Sequence, residues 1–442
     1  MSLAADTAAD FDGLRPATGP LTSARPLRPD VDPFYVAPPH LDTDEPGAVL
    51  RYRRVRVALF GRIPQRVQAW QLLYRTNDLN GAPEAAVTTV LLPWDADPTA
   101  TRPVVSYQCA IDAVAPKCLP SYALRHGARS LGCVPQFELL LIAGAVARGW
   151  AVSVPDHVGT GGRFGVPREP GYRILDGIRA ALSFGPLGLD PAAPVGLWGY
   201  SGGGLATSWA AELADDYAPE LDLAAGYAGS PVGDPTQAVV HLNRWLSGVA
   251  SSGLVALCIA GLRRAYPDLD RVRIGFSPGF LDLLAYTEIA ATIQIVLRGA
   301  GVRISDDGTN LAELLTHPEV RAALAEVRPG ERTPGMPMFV VQAVNDLIVP
   351  VRAIDEHVAR YRAAGTPVTY VRDRISGHIT LAVIAAPIVG DWLDDRLTGR
   401  TPPPSPEHTT TVWSMVCSRQ GVTGHLRQAW IAARLLTGRP IG

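Results

Sequence analysis

An excess of charge of either sign is the first thing this sequence lacks. Lysine plus arginine number 40 against 42 aspartates and glutamates, a net charge of −2. There is no basic field to recruit nucleic acid and no polybasic tract to recruit anionic lipid, so no nucleic-acid partner is expected. Cysteine is scarce: five residues, at 109, 118, 133, 258 and 417, with no C-x-x-C pair. That excludes a disulfide-built scaffold and structural zinc, and the odd count leaves at least one free thiol. A bridge among Cys109, Cys118 and Cys133 and a set of free buried thiols both remain open. Residues 1–12 have neither a basic n-region nor an apolar h-region. The expectation for the chain as given is therefore cytoplasmic, or secreted if a signal has been removed. Long apolar runs are also few. Trp245–Leu262 is uncharged, at the lower edge of a spanning length, but Ser247, Gly248, Ser251, Ser252 and Gly253 interrupt it. A buried or substrate-facing helix is expected there, and no integral membrane segment. No phosphate loop is present: G-x-x-x-x-G-K is missing, and Gly159–Phe164 departs from G-x-G-x-x-G at its last position.

What the chain has is glycine, proline and apolar residues. Its 442 residues include 43 Gly and 39 Pro and are 47% hydrophobic, above the usual ~7% Gly and ~5% Pro. This describes a loop-rich globular protein with a large core, in which one α/β domain carries an insertion. Eight prolines before residue 50 predict an extended N-terminal arm over 1–50. Strands are expected at Arg51–Leu59, Gln68–Tyr74 and Ala86–Leu92. Short apolar runs then follow at Val104–Tyr107, Ala151–Val154, Val195–Trp198 and Met338–Val344, with helical stretches such as Phe137–Arg148 and Tyr172–Leu182 between them. Buried runs separated by helices predict a mostly parallel sheet covered on both faces. The core is placed at 51–232 and 332–401. Between them, 233–331 reads as an all-helical cap: Thr236–Val249, Gly253–Ala265, Phe280–Leu297 and Leu311–Val327. A tail, 402–442, opens on Pro402-Pro403-Pro404 and holds a helix at His425–Leu436.

The chemistry centres on Gly199-Tyr200-Ser201-Gly202-Gly203, a match to G-x-S-x-G. A predicted strand runs into it and a helix leaves it, the setting a nucleophile elbow requires. Small neighbours give the serine room in a tight turn, and the Gly202 backbone N–H points to where an oxyanion would form. A serine hydroxyl needs a histidine to take its proton and an acid to orient that histidine, in the chain order Ser, Asp or Glu, His. Asp346 follows the strand-like Met338–Val344, and His378 follows the strand-like Pro367–Arg372. His157, His317, His357, His408 and His425 fit the order or the setting less well. The loop Cys109–Ala113, after the early strand, should hold the second oxyanion donor; Asp112 is an odd neighbour for a developing negative charge and reads from chemistry alone as an ordinary loop aspartate, unless it acts through its backbone N–H or a protonated carboxyl.

Several segments together resemble the secretory lipase family, the lipase A type of α/β-hydrolase. They are Asp32-Pro-Phe-Tyr35, Ser106-Tyr-Gln108, Lys117-Cys-Leu-Pro-Ser-Tyr122, Trp150-Ala-Val-Ser-Val-Pro-Asp156 and Gly199–Gly203. Tyr217-Ala-Pro-Glu-Leu221, Ala265-Tyr-Pro-Asp268, Asn345-Asp-Leu-Ile-Val-Pro350 and Gly377-His378 continue the likeness over about residues 30 to 400. The resemblance implies an α/β-hydrolase core with a helical lid, the triad Ser201, Asp346 and His378, and an oxyanion hole of Gly202 and Asp112. It also implies a cap tied by a disulfide to the loop holding Cys118, but no cysteine in this cap matches the partner. The function expected is hydrolysis of a small-molecule ester with an apolar acyl or alcohol group through an acyl-enzyme on Ser201. The alternatives are acyl transfer to a specialised metabolite and a non-catalytic binding role. No metal or organic cofactor is implied, and nothing in the sequence speaks to oligomeric state.

Overall fold

The computed structural model describes residues 25–97, 99–245, 251–272, 275–305, 311–400 and 408–441. Residues 1–24 of the expected arm, the end of the helix predicted to reach Val249, part of the Trp245–Leu262 run and Pro402–Pro404 lie outside these.

Twelve strands are described: β1 Val49–Arg54, β2 Ala58–Leu59, β3 Ile63–Pro64, β4 Gln68–Asn77, β5 Pro83–Leu92, β6 Val104–Gln108, β7 Ala151–Pro155, β8 Val195–Tyr200, β9 Leu223–Gly229, β10 Met338–Ala343, β11 Val368–Asp373 and β12 Thr410–Val412. Ten of them form one sheet in the order β1-β4-β5-β7-β6-β8-β9-β10-β11-β12, while β2 and β3 pair alone. From β7 through β12 every pairing is parallel. The β1, β4 and β5 edge is antiparallel. This is the mostly parallel, doubly covered sheet of an α/β-hydrolase.

Alternation along the central strands assigns side chains to the two faces. Val105, Tyr107, Val152, Val154, Trp198, Phe339 and Val341 face one side. There they meet the helices α2 (Pro135–Val146), α12 (His378–Leu397) and α13 (Arg419–Thr437). Val104, Ala151, Val195, Leu197, Met338 and Val340 face the other, against α3 (Glu169–Ser183), α4 (Gly202–Tyr217) and α11 (Val351–Ala363). A short α1, Pro120–Ala123, precedes α2. Between β9 and β10 the chain leaves the sheet and builds α5 (Pro235–Trp245), α6 (Ser251–Ala265), α7 (Pro278–Thr287), α8 (Thr292–Gly299), α9 (Leu311–Leu314) and α10 (Pro318–Val327). These pack around their own apolar cluster, which includes Val255, Leu257, Phe280, Leu283 and Ile295.

Local chemistry accounts for the departures from the sequence reading. The helix predicted over Phe280–Leu297 is two, α7 and α8, joined by a turn at 288–291. The one predicted over Leu311–Val327 is broken by Pro318, which opens α10 as its first residue. A proline suits that position but lacks the N–H to continue a helix and holds the preceding residue, His317, extended. The strand predicted over Arg51–Leu59 is divided at residues 55–57. The tail helix starts at Arg419, earlier than expected, because the Ser418 side chain caps it by accepting from the Gly421 N–H. No strand was expected in the tail, yet β12 extends the sheet beside β11. Within 25–50, two single 3-10 turns and the first residues of β1 interrupt the extended course expected, and Phe34 and Tyr35 are buried against Leu73 and Val87.

Candidate active site

β8 delivers Ser201 at its carboxyl end, and α4 begins at the next residue. Between them the backbone makes a turn so sharp that Ser201 adopts φ 55°, ψ −121°. That conformation is strained for a residue with a side chain. The surroundings enforce it: the Ser201 N–H donates to the Gly229 carbonyl at 2.8 Å. A Cβ on Gly199 would collide with the Gly203 carbonyl and the Thr207 hydroxyl, and one on Gly203 with the Gln108 carbonyl. Both glycines are thus required by close backbone approach.

His378 is the first residue of α12, and its Nε2 lies 2.8 Å from Ser201 Oγ. Its Nδ1 lies 2.7 Å from Asp346 Oδ2. Asp346 stands in the turn after β10, where its Oδ1 accepts from the Ile348 and Val349 N–H groups at 2.8 and 2.9 Å. Gln342 Nε2 donates to Oδ2 at 3.1 Å. Burial pushes this carboxyl up, but the His378 hydrogen bond and charge and the two backbone donors outweigh it, so it is held below the usual carboxylate range. The three side chains predicted from sequence therefore meet in one hydrogen-bonded row, from elements 145 and 32 residues apart in sequence. A hydroxyl facing an imidazole that is oriented by a carboxylate is an arrangement that can deprotonate the hydroxyl as it attacks a carbonyl.

Asp112 and Gly202 also come together. A Cβ on Gly202 would overlap the Asp112 carboxylate, and the Phe164 ring is the next neighbour. Asp112 has φ 39°. Burial pushes its carboxyl up to about 6, against the opposing pull of His378. The loop carrying it is pinned from three sides. Glu138 on α2 accepts from the Ala110 N–H at 3.0 Å, His157 Nε2 bonds the Cys109 carbonyl at 2.8 Å, and Thr292 of the cap donates to the Ile111 and Asp112 carbonyls.

Among the alternative histidines, His157 and His357 are buried, and burial lowers them to about 4 and about 3. Asp373 is taken up by the N–H groups of Ile375, Ser376 and Met415. Glu356 pairs with Arg352 and Gln237. Supporting residues that sequence reasoning missed are Gln342, Glu138, Tyr200, whose hydroxyl donates to the His378 carbonyl, and His241 of α5, 2.9 Å from the Asp346 carbonyl. Only Tyr200, inside the elbow motif, carried any sequence signal.

Above the site, α6 crosses Phe164 so closely that a Cβ on Gly261 would strike its backbone. Within the cap, Val255, Cys258, Ile259 and Leu262 of α6 line a partly open cavity of about 400 Å³ together with Val239, Phe276, Leu315 and Leu324, and its lining comes from the cap alone. Nearly all of the lining is apolar. Among the described residues no cluster of three or more His, Cys, Asp or Glu could hold a metal. No described helix is long and apolar enough to cross a membrane.

A model of the secretory lipase family matches residues 124–404. A probable inactive lipase of Mycobacterium tuberculosis is 45% identical across all of this chain and 98% of its own length. Lipase A of Arthroderma benhamiae is 36% identical over 86% of this chain and 82% of its own. Among solved structures, Candida antarctica lipase A in its closed state superposes with a TM-score of 0.78, at 26% identity, over 95% of this chain and 99% of that one.

Proposed function

The chain belongs to the secretory lipase family, and on that premise we propose that it is a serine hydrolase of carboxylic esters acting through an acyl-enzyme on Ser201. The observation that carries the reading is the row Ser201 Oγ, His378 and Asp346 at 2.8 and 2.7 Å, with the serine on a strained elbow. In the proposed reaction His378 Nε2 takes the hydroxyl proton as Oγ attacks the ester carbonyl. It then passes that proton to the leaving alcohol. Asp346 fixes the tautomer and stabilises the imidazolium. The Gly202 N–H and Asp112 stabilise the oxyanion, Asp112 as a donor when protonated; burial, by raising its carboxyl to about 6, makes that form easier to reach. Water then repeats the attack and releases the acid. We assign the apolar acyl group to the cavity beside α6. Such a cavity rewards each buried methylene by about 0.8 kcal/mol. Membership of a secretory family favours export over the cytoplasmic setting expected from residues 1–12.

A second reading, a hydrolase fold without hydrolysis, follows from the relative named a probable inactive lipase. The complete row in this chain argues against it. A fluorophosphonate probe separates the two. Labelling at Ser201, lost in Ser201→Ala, supports hydrolysis; an unlabelled, folded protein supports the second reading.

A further inference from the structure

Cys118 and Cys133 lie on separate loops and bring their Sγ atoms to 2.6 Å. Even carbon atoms rest ~3.5–4.0 Å apart, so these two free thiols sit closer than resting contact allows, while still beyond the ~2.05 Å of a formed disulfide. The loops are already joined beside it: the Ser130 hydroxyl donates to the Lys117 carbonyl at 2.8 Å. Cys109 is not part of the pair; its carbonyl receives His157, and burial and Glu138 push its thiol up. The two loops are also the seat of the cap. Gly132 accepts from the Ile293 N–H at 3.2 Å, Lys117 reaches Gln294, and Cys118 Sγ lies 3.9 Å from the Ala290 carbonyl.

We infer that Cys118 and Cys133 form a redox site, oxidised to a disulfide that staples the seat on which the N-terminal end of α8 rests. In this chain the covalent tie is made within the core beneath the cap, where no cap cysteine is needed. The oxidant is a small-molecule disulfide. One cysteine thiolate attacks it and releases one thiol. The second cysteine attacks the mixed disulfide, giving the protein S–S bond and a second thiol. Two electrons and two protons thereby pass from the protein to the oxidant. Both thiols are buried, and the hydrogen bond to Cys118, together with burial, pushes the Cys133 thiol upward. Exchange therefore proceeds while the chain folds or while the loop opens, and the closed pair is protected afterwards.

The test is to hold the full chain in glutathione buffers of rising disulfide fraction, under native conditions and through refolding. Acid quenching, denaturing alkylation and peptide mapping then follow. The expected product is one intramolecular link, Cys118 to Cys133, with a mass loss of about 2 Da and three of the five cysteines alkylated. Reducing the linked protein should lower its Tm by ~3 °C, the effect of releasing a short closed loop in a chain of this size. The double variant Cys118→Ser, Cys133→Ser should show no response to reductant. Five alkylated cysteines in every buffer, or a link through another pair, would overturn the inference.

Discussion

Ser201 spends conformational energy on its position, and the surrounding hydrogen bonds hold it there. Replacing it with alanine keeps the backbone demand and removes only the hydroxyl. Ser201→Ala should therefore fold normally and hydrolyse activated esters at a rate only ~10³–10⁴-fold above water. Thermal melting together with a p-nitrophenyl acetate assay checks both halves; activity above a few per cent of wild type would move the nucleophile elsewhere. Asp346→Asn preserves shape but offers the wrong partner to His378 Nδ1, and kcat should fall by about 10⁴. Near-normal turnover would require another orienting acid. The neighbours leave little choice, because Asp373 is occupied by three backbone N–H groups and Glu356 by Arg352 and Gln237.

The cap helix α6 shows how one element can serve both stability and selectivity. Leu257 is fully buried in the cap's own cluster, whereas Ile259 lines the cavity. Leu257→Asp should destabilise the cap by stranding a charge among apolar side chains. Ile259→Asp should fold and act on the substrate instead. In the unmodified protein kcat/KM should climb severalfold per methylene along a p-nitrophenyl ester series until the cavity is full, in line with about 1–3 kcal/mol per methylene. Ile259→Asp should flatten that climb and spare acetate. A flat series in the unmodified protein would sink the apolar acyl site. Element boundaries were less legible than the elements themselves. Apolar spacing continues from α7 through the turn at 288–291 into α8, so periodicity alone cannot see the break. Pro318 was a visible breaker. Ser201, Asp346 and His378 were readable because each follows a strand in the required order. Glu138 and His241 were not, since each acts across elements whose register only the folded chain defines; Gln342, four residues before Asp346, was not, since its amide meets the carboxylate only once the turn after β10 is formed.

Across the whole molecule, buried titratable groups pull stability in opposite directions with pH. Burial raises Asp112 to about 6, Asp156 to about 7 and Glu138 to about 8. Such carboxyls bind protons more tightly when folded. Their contribution is complete below the unfolded value and is lost as pH rises through the folded one. His157 and His357, lowered by burial to about 4 and about 3, behave the other way: their contribution is present above ~6.5 and is lost as pH falls. Below neutrality the two sets oppose each other. Above ~6.5 the histidines no longer titrate, and Asp156, up to about 7, and Glu138, up to about 8, add to the remaining slope. Glu138→Gln imitates the protonated acid and keeps an acceptor for the Ala110 N–H. At pH 5 wild type and variant should melt alike. As pH rises to 9 the wild-type carboxylate becomes charged in a dry site while the amide does not. The variant should then gain ~2–4 °C over wild type. Scanning calorimetry at both pH values checks this, and a Tm difference that stays constant with pH would show that Glu138 is already ionised in the folded protein.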